Sequence, residues 1–97
     1  MGVLEFVELL SKKYSIPKED LIKQGTELTL QEKKRKYLIE KLEILSKHGA
    51  NSVGELRKNI EEGKTSEHPG WEDLIEIKNI DADIKEIEND IRALQSS

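Results

Sequence analysis

The chain contains no cysteine, which excludes disulfide bonds and thiolate metal sites and favours an intracellular protein. No apolar run approaches the roughly 18 residues that are needed to span a bilayer. The opening segment MGVLEFVELL lacks the basic leader and the small-residue cleavage site of a secretion signal. No segment has a convincing β-strand pattern. These absences predict a single cytoplasmic domain over residues 1–97, without a membrane segment.

The composition is strongly charged, with 37% charged and 35% hydrophobic residues. This balance is poor for a thick globular core but typical of packed helices that each bury one apolar stripe. Residues 1–48 carry ten Lys or Arg against eight Asp or Glu, for a charge of +2, whereas residues 49–97 carry six against twelve, for −6. An acidic chain is a poor general nucleic-acid binder, and the charge split predicts self-complementarity or a basic partner.

The N-terminal part, residues 1–28, has the pattern of two helices joined by a turn. Apolar residues at helical spacing predict a helix over Val3–Tyr14. Pro17 suits the first turn of a second helix, which places the turn at residues 15–16. Because a short chain with several apolar helical faces has more stripe than one copy can cover, we expect a homodimer.

From Thr29 the pattern continues as a long charged helix. The pair His48–Gly49 is a stop signal, a basic last turn followed by glycine. The helix that starts near residue 17 either reaches this stop or breaks near residues 26–29, and continuity is favoured. Its predicted apolar stripe consists of Leu38, Leu42 and Leu45, widened by Ile39.

The strongest periodic signal lies near the C-terminus, where six apolar residues recur at gaps of 3, 4, 3, 4 and 3. This is the a/d spacing of a helix that buries one narrow seam. The seam consists of Ile77, Ile80, Ile84, Ile87, Ile91 and Leu94. The acidic positions that flank it are Asp81, Asp83, Glu88 and Asp90. Such a helix favours a basic, apolar partner helix, and residues 33–47 supply one.

We therefore predict an all-α fold, a small helical bundle whose long C-terminal helix packs as an antiparallel helical hairpin over residues 29–95. The arms are residues 30–48 and 70–95, and a short helix at 52–62 lies in the connection. The capping box Ser52-x-x-Glu55 marks the start of that short helix.

Two lysines of the first arm, Lys34 and Lys41, match the acidic flanks of the second arm. Exposed ion pairs contribute only about 0–1 kcal/mol each, so these pairs would select partner and register. Burial of the isoleucine seam would supply most of the stability, at roughly 1.5–3 kcal/mol per side chain before entropy is counted.

The sequence contains no catalytic, cofactor or metal motif. His48 and His68 would have to converge with carboxylates to hold a metal, and both are accounted for by their places at helix ends. No nucleophile, base and pocket can be assembled from these residues, so we expect neither an enzyme nor a cofactor. The single basic run consists of Lys33, Lys34, Arg35 and Lys36. It is either a solvated helix face that answers the acidic helix or a nucleic-acid contact.

Three segments follow one another in a characteristic order: YSIPKEDLI, KHGANSVGEL and GKTSEHPGWED. This order resembles small archaeal and bacterial antitoxin-like helical proteins, and the resemblance covers nearly the whole chain. The matching residues are Tyr14, Ile16, Leu21, Ile22, His48, Gly49, Ser52, Glu55, Leu56, Gly63, Lys64, Glu67, His68, Pro69, Trp71, Glu72 and Asp73.

The resemblance implies that the first two helices correspond to the helical part of a ribbon-helix-helix module, whose N-terminal strands pair and read DNA. Only Met1 and Gly2 precede the first helical pattern here. We therefore expect the DNA-reading strand to be lacking. What remains is dimerisation through the first two helices and a C-terminal arm that masks a partner.

We expect a protein-interaction protein, and the resemblance implies the antitoxin of a toxin–antitoxin pair whose acidic C-terminal helix covers a basic toxin surface. The expected partner-binding residues are Trp71, Ile77, Ile80, Asp81, Asp83, Ile84, Ile87, Glu88, Asp90 and Ile91. Trp71 is either a core residue at the hairpin end or an anchor at the partner interface. The alternatives are a nucleic-acid binder that uses residues 33–36 and a purely structural oligomerisation module.

Overall fold

The structure, a computed structural model, describes residues 1–97 and contains four helices and no strand. The helices are α1 (Val3–Tyr14), α2 (Lys18–Lys47), α3 (Val53–Glu61) and α4 (Glu67–Gln95). The predicted all-α fold with a long C-terminal helix is confirmed, and α2 is continuous. Position 28, the predicted end of the N-terminal part, therefore lies inside a helix. None of the four helices combines the length and the apolarity that a membrane crossing requires.

The helix boundaries follow the signals in the sequence. The Ser52 hydroxyl caps α3 by accepting a hydrogen bond from the backbone N–H of Glu55, at 3.1 Å. The chain leaves α2 through Gly49, whose φ of 65° is a left-handed conformation that glycine adopts without steric cost. Regular helical geometry in α4 begins after Pro69, because the backbone angles at that residue and the one before it are not helical.

An antiparallel hairpin of α2 and α4 sets the shape of the molecule. The Lys34 ammonium lies 3.4 Å from the Glu88 carboxylate, and the Lys41 ammonium lies 2.8 Å from that of Asp81. A step of seven residues along α2 is thus matched by a step of seven residues back along α4. The protein is a rod of 62 × 26 × 18 Å with a radius of gyration of 19.8 Å, whereas a compact domain of this length has one of about 13 Å.

The hydrophobic core lies at the end of the rod where α3 packs against the hairpin. Its buried residues are Leu45, Ala50, Leu56, Ile60, Leu74 and Ile77. Gly70 permits the close approach of α3, because a Cβ atom there would lie 3.1 Å from the Ile60 side chain. Trp71 is half-buried against this cluster. Of its two interpretations, the structure therefore favours the core residue.

The isoleucine seam of α4 is buried along most of the hairpin. Ile77 is fully buried, and the exposed fractions of Ile80, Ile84, Ile87 and Ile91 are 5%, 8%, 6% and 6%. Because α4 packs against α2 of the same chain, the hairpin closes within one copy of the protein.

The inward face of α2 differs from the predicted stripe. Leu38, Ile39 and Leu42 are exposed, and only Leu45 of that stripe is buried. The partly buried positions that recur every three or four residues are Leu30, Lys34, Tyr37, Lys41 and Ile44. The reason is that a lysine can lay its methylene stem along apolar surface while its ammonium reaches a flanking carboxylate. The lysine-bearing face therefore lies on the acidic helix, and the leucine-rich face points to solvent.

Candidate functional site

The expected partner-binding residues of the seam lie inside the hairpin. Ile77, Ile80, Ile84, Ile87 and Ile91 are buried against the chain's own α2 and core. A second protein would have to open the hairpin to contact them, at the cost of their burial. In the closed chain these five isoleucines are packing residues, and the prediction that they contact a partner is not supported by their positions.

The acidic flanks of the seam divide into two sides. Asp81 and Glu88 form the ion pairs with α2, and their side chains are 42% and 40% exposed. Asp83 and Asp90 are exposed and form no ion pair. Since exposed pairs contribute about 0–1 kcal/mol, the paired side fixes the register of the hairpin more than its stability. The predicted match of lysines to acidic flanks is confirmed on this one side.

The basic run on α2 is partly neutralised within the chain. Lys34 pairs with Glu88 on α4. The Arg35 guanidinium donates two hydrogen bonds to Glu32, at 2.9 and 2.7 Å. These bonds raise the pKa of Arg35 and lower that of Glu32. Only two cations of the run, Lys33 and Lys36, remain exposed and without an ion pair, so no structural observation favours a nucleic-acid site.

A buried polar cluster joins the end of α2 to the first regular turn of α4. The Asp73 Oδ2 atom lies 2.7 Å from the Lys47 ammonium and 2.7 Å from the His48 Nε2 atom. The side chains of Asp73 and His48 are only 11% and 7% exposed. The hydrogen bond from Lys47 has the largest effect and lowers the pKa of Asp73. Burial opposes this shift, and a smaller contribution from the His48 hydrogen bond adds to it. The sequence placed His48 at a helix end but gave no sign of this contact with Asp73.

Replacing Asp73 with asparagine is expected to lower the free energy of unfolding at neutral pH by about 1–3 kcal/mol. Because the folded state lowers the pKa of Asp73, the stability from its ionised form is complete above the unfolded pKa, near 4. That stability is lost as the pH falls through the lower pKa of the folded state. Urea unfolding at a series of pH values should show the gap between wild type and variant closing in acid. A gap that stays constant down to pH 2 would contradict this role for the carboxylate.

The second histidine lies in a different environment. The His68 Nδ1 atom is 2.7 Å from the Glu72 carboxylate on the surface, and this hydrogen bond lowers the pKa of Glu72. No three His, Asp or Glu side chains converge in a geometry that would hold a metal ion. The His48 cluster therefore joins α2 to α4, whereas the His68 contact lies within the start of α4.

The apolar face of α1 is the first surface that the fold leaves uncovered. No residue of this helix is buried. The exposed fractions of Val3, Leu4, Phe6 and Leu9 are 80%, 64%, 49% and 48%. The chain itself covers only part of this stripe, because α1 packs on the start of α2, at the end of the rod away from α3. Clustered exposed apolar side chains of this kind mark interaction sites.

The outer face of α2 is the second uncovered surface. Leu28 and Leu42 are 70% and 62% exposed, and Leu38 and Ile39 are 40% and 38% exposed. Leu28, Ile39 and Leu42 lie on the side of α2 that faces away from α4, and Leu38 lies at the edge of the hairpin contact. Three of them, Leu38, Ile39 and Leu42, belong to the apolar stripe that was predicted to face the other arm of the hairpin.

A family comparison places the whole chain. The profile of the uncharacterized protein MJ0235 family matches residues 1–97. The chain belongs to this family. Searches of curated proteins and of solved structures found no match. The description of the MJ0235 family names no activity. A functional proposal therefore has to rest on the two uncovered apolar faces. The antitoxin resemblance stays a hypothesis.

Proposed function

We propose that this protein is a non-catalytic interaction module that binds a second protein through the apolar face of α1. The observation that carries the proposal is the exposure of Val3, Leu4, Phe6 and Leu9 on one short helix. Leaving four large apolar side chains in water is unfavourable, and burial would contribute roughly 1.5–3 kcal/mol for each side chain that becomes fully covered.

The attachment of α1 suits this role. The helix is fixed at its base, where the Ser11 hydroxyl donates a hydrogen bond to the Ile16 carbonyl and Lys18 pairs with Glu8 at 2.7 Å. The hydrogen bond that Lys18 donates to Glu8 lowers the pKa of this carboxyl group. The helix is therefore preformed and oriented, so a partner that binds it avoids much of the entropic cost of ordering a free peptide.

The chemistry of α1 indicates the kind of partner that it fits. Val3, Phe6 and Leu10 stand at the i, i+3 and i+7 spacing of an amphipathic helix that docks into an apolar groove, and Leu9 lies beside them. Its acidic residues, Glu5 and Glu8, are balanced by two lysines at its end. The expected partner is thus a protein with an apolar groove, bound mainly by burial rather than by charge.

The antitoxin hypothesis is a specific form of this proposal with a different docking site. The resemblance implied that the acidic α4 covers a basic toxin. Because the α4 isoleucines are buried in the hairpin, we propose that a toxin would instead be bound by α1. Asp83 and Asp90 of α4 are exposed and form no ion pair, so they remain available to basic groups of a partner.

Co-expression with the product of the neighbouring reading frame tests the proposal. The wild-type chain should co-purify with that product and relieve any growth inhibition that it causes. The double variant Phe6→Asp/Leu9→Asp should do neither, because buried anchors of this type each contribute about 2 kcal/mol or more, or about thirtyfold in affinity.

The matched control is Ile75→Asp, which also places a carboxylate on an exposed apolar position, in α4, where the wild-type side chain is 59% exposed. This variant should bind the partner like wild type, and circular dichroism should show native helix content for both variants. Binding that survives the α1 double variant, or is lost equally in the Ile75 control, would refute the proposed site.

A further inference from the structure

Six residues on the outer face of α2 stand at heptad spacing, and three of them are large apolar residues. The six are Gly25, Leu28, Glu32, Arg35, Ile39 and Leu42. The gaps are 3, 4, 3, 4 and 3, the spacing of a coiled-coil seam. The structure buries none of these positions, and all of them lie on the side of α2 that faces away from α4. This outer seam extends over about 25 Å of helix.

One member of the outer seam has no explanation within a single copy. Gly25 lies in the interior of α2, where glycine costs about 1 kcal/mol relative to alanine. A Cβ atom added there would meet nothing within 4 Å. The residue is therefore not required by any contact inside the chain. A glycine at a seam position instead provides space for a large side chain of a facing helix.

We propose that two copies of this chain pair through their outer seams as an antiparallel coiled coil, with the two-fold axis between Lys33 and Lys34. Antiparallel pairing about this point sets Gly25 against Leu42 of the second copy and Leu28 against its Ile39. In each outer layer the large leucine fills the space at the glycine. In each inner layer two branched apolar side chains meet.

The central layers have opposite charges. The same pairing sets Glu32 of each copy against Arg35 of the other. Within one copy these two side chains form a salt bridge at 2.7 Å. In the pair, each also faces the oppositely charged side chain of the second copy. A polar layer in an otherwise apolar seam lowers stability but fixes register and orientation. Every layer of the antiparallel pair is therefore complementary in size or in charge.

A parallel pair of the same seams is not complementary. It would set Glu32 against Glu32 and Arg35 against Arg35, which places like charges together at the interface, and it would leave a gap where two glycines at position 25 meet. The outer seam thus matches an inverted copy of itself, which identifies a second copy of this chain as its occupant. This surface is separate from the α1 face of the proposed function.

Charge reversal tests the pairing, with molar mass measured by sedimentation equilibrium. The wild-type chain of 11.1 kDa should have twice that mass. Glu32→Arg should give layers of two arginines and Arg35→Glu layers of two glutamates, and each should raise the dimer dissociation constant at least about tenfold. The double variant Glu32→Arg/Arg35→Glu restores opposite charges in every layer and should dimerise again.

The controls separate this pairing from folding and from the α1 site. Glu40→Arg reverses an exposed charge on α2 outside the seam and should leave the mass unchanged. Gly25→Leu should weaken the dimer through a clash with Leu42 while it stabilises the helix of the monomer. The variant Phe6→Asp/Leu9→Asp should remain dimeric. A wild-type chain that is monomeric at every concentration, or a double variant that stays monomeric, would overturn the proposal.

Discussion

Replacing Ile77 with alanine is expected to lower the free energy of unfolding by about 2–5 kcal/mol. Ile77 is fully buried at the point where the seam of α4 enters the core beneath α3. Truncation there removes contacts to both helices and leaves a cavity, because the surrounding helices relax only in part. Urea unfolding followed by far-ultraviolet circular dichroism measures the loss as a lower transition midpoint with an unchanged slope.

The matched control is Ile75→Ala, which makes the same chemical change two residues earlier on the same helix. Ile75 is 59% exposed, so its truncation should change the free energy of unfolding by no more than about 0.5 kcal/mol. Equal losses in the two variants would mean that the assignment of inner and outer faces on α4 is wrong.

Leu45→Ala should likewise cost about 2–5 kcal/mol, whereas Leu42→Ala should have little effect on the stability of a single copy. The two leucines lie one turn apart on α2, but they are 3% and 62% exposed. This contrast tests the orientation of α2 directly, because a helix that faced α4 with its leucine-rich side would bury both residues.

The stabilities of Leu45→Ala and Leu42→Ala should be compared at a protein concentration at which sedimentation gives the mass of one copy. Leu42 belongs to the outer seam, so any effect of its truncation that grows with concentration belongs to the second copy. A loss at Leu42 that equals the loss at Leu45 in the monomer would contradict the orientation of α2.

The sequence was sufficient to predict the helices and the α4 seam. The serine cap at residue 52 and the glycine at residue 49 are local signals whose physical effect does not depend on the rest of the fold. The isoleucine spacing is equally local, since a 3-4 repeat of large apolar residues leaves only one face of a helix to bury. The helix bounds agree with these predictions to within three residues, and the five isoleucines of the seam are buried.

The inward face of α2 could not be predicted from its apolar residues alone. That helix carries apolar residues on two sides, and a count of leucines favours the side with Leu38 and Leu42. The choice depended on α4, whose acidic flank pairs with Lys34 and Lys41 when the other side is turned inward. Lysine stems can cover apolar surface, and a pattern that scores lysine only as polar overlooks this.

The candidate sites were harder to predict because they depend on what remains after packing. The sequence assigned partner binding to the evenly spaced isoleucines of α4. Because such residues form one continuous stripe, they pack inside the hairpin and are not available at the surface. Which apolar faces of α1 and α2 stay exposed depends on which stripes the hairpin covers, and this is known only from the structure. Likewise, the contact between His48 and Asp73 joins residues 25 positions apart that no local pattern relates.

Chemical crosslinking tests whether α2 and α4 close a hairpin within one chain through the lysine-bearing face of α2. The chain has no cysteine, so the double variant Lys41→Cys/Asp81→Cys carries the only two thiols. In dilute solution a short thiol-reactive crosslinker should join them rapidly and give a product of one chain mass, whereas Leu42→Cys/Asp81→Cys should react far more slowly. A product of twice the chain mass, or faster linkage from position 42 than from position 41, would contradict the fold described here.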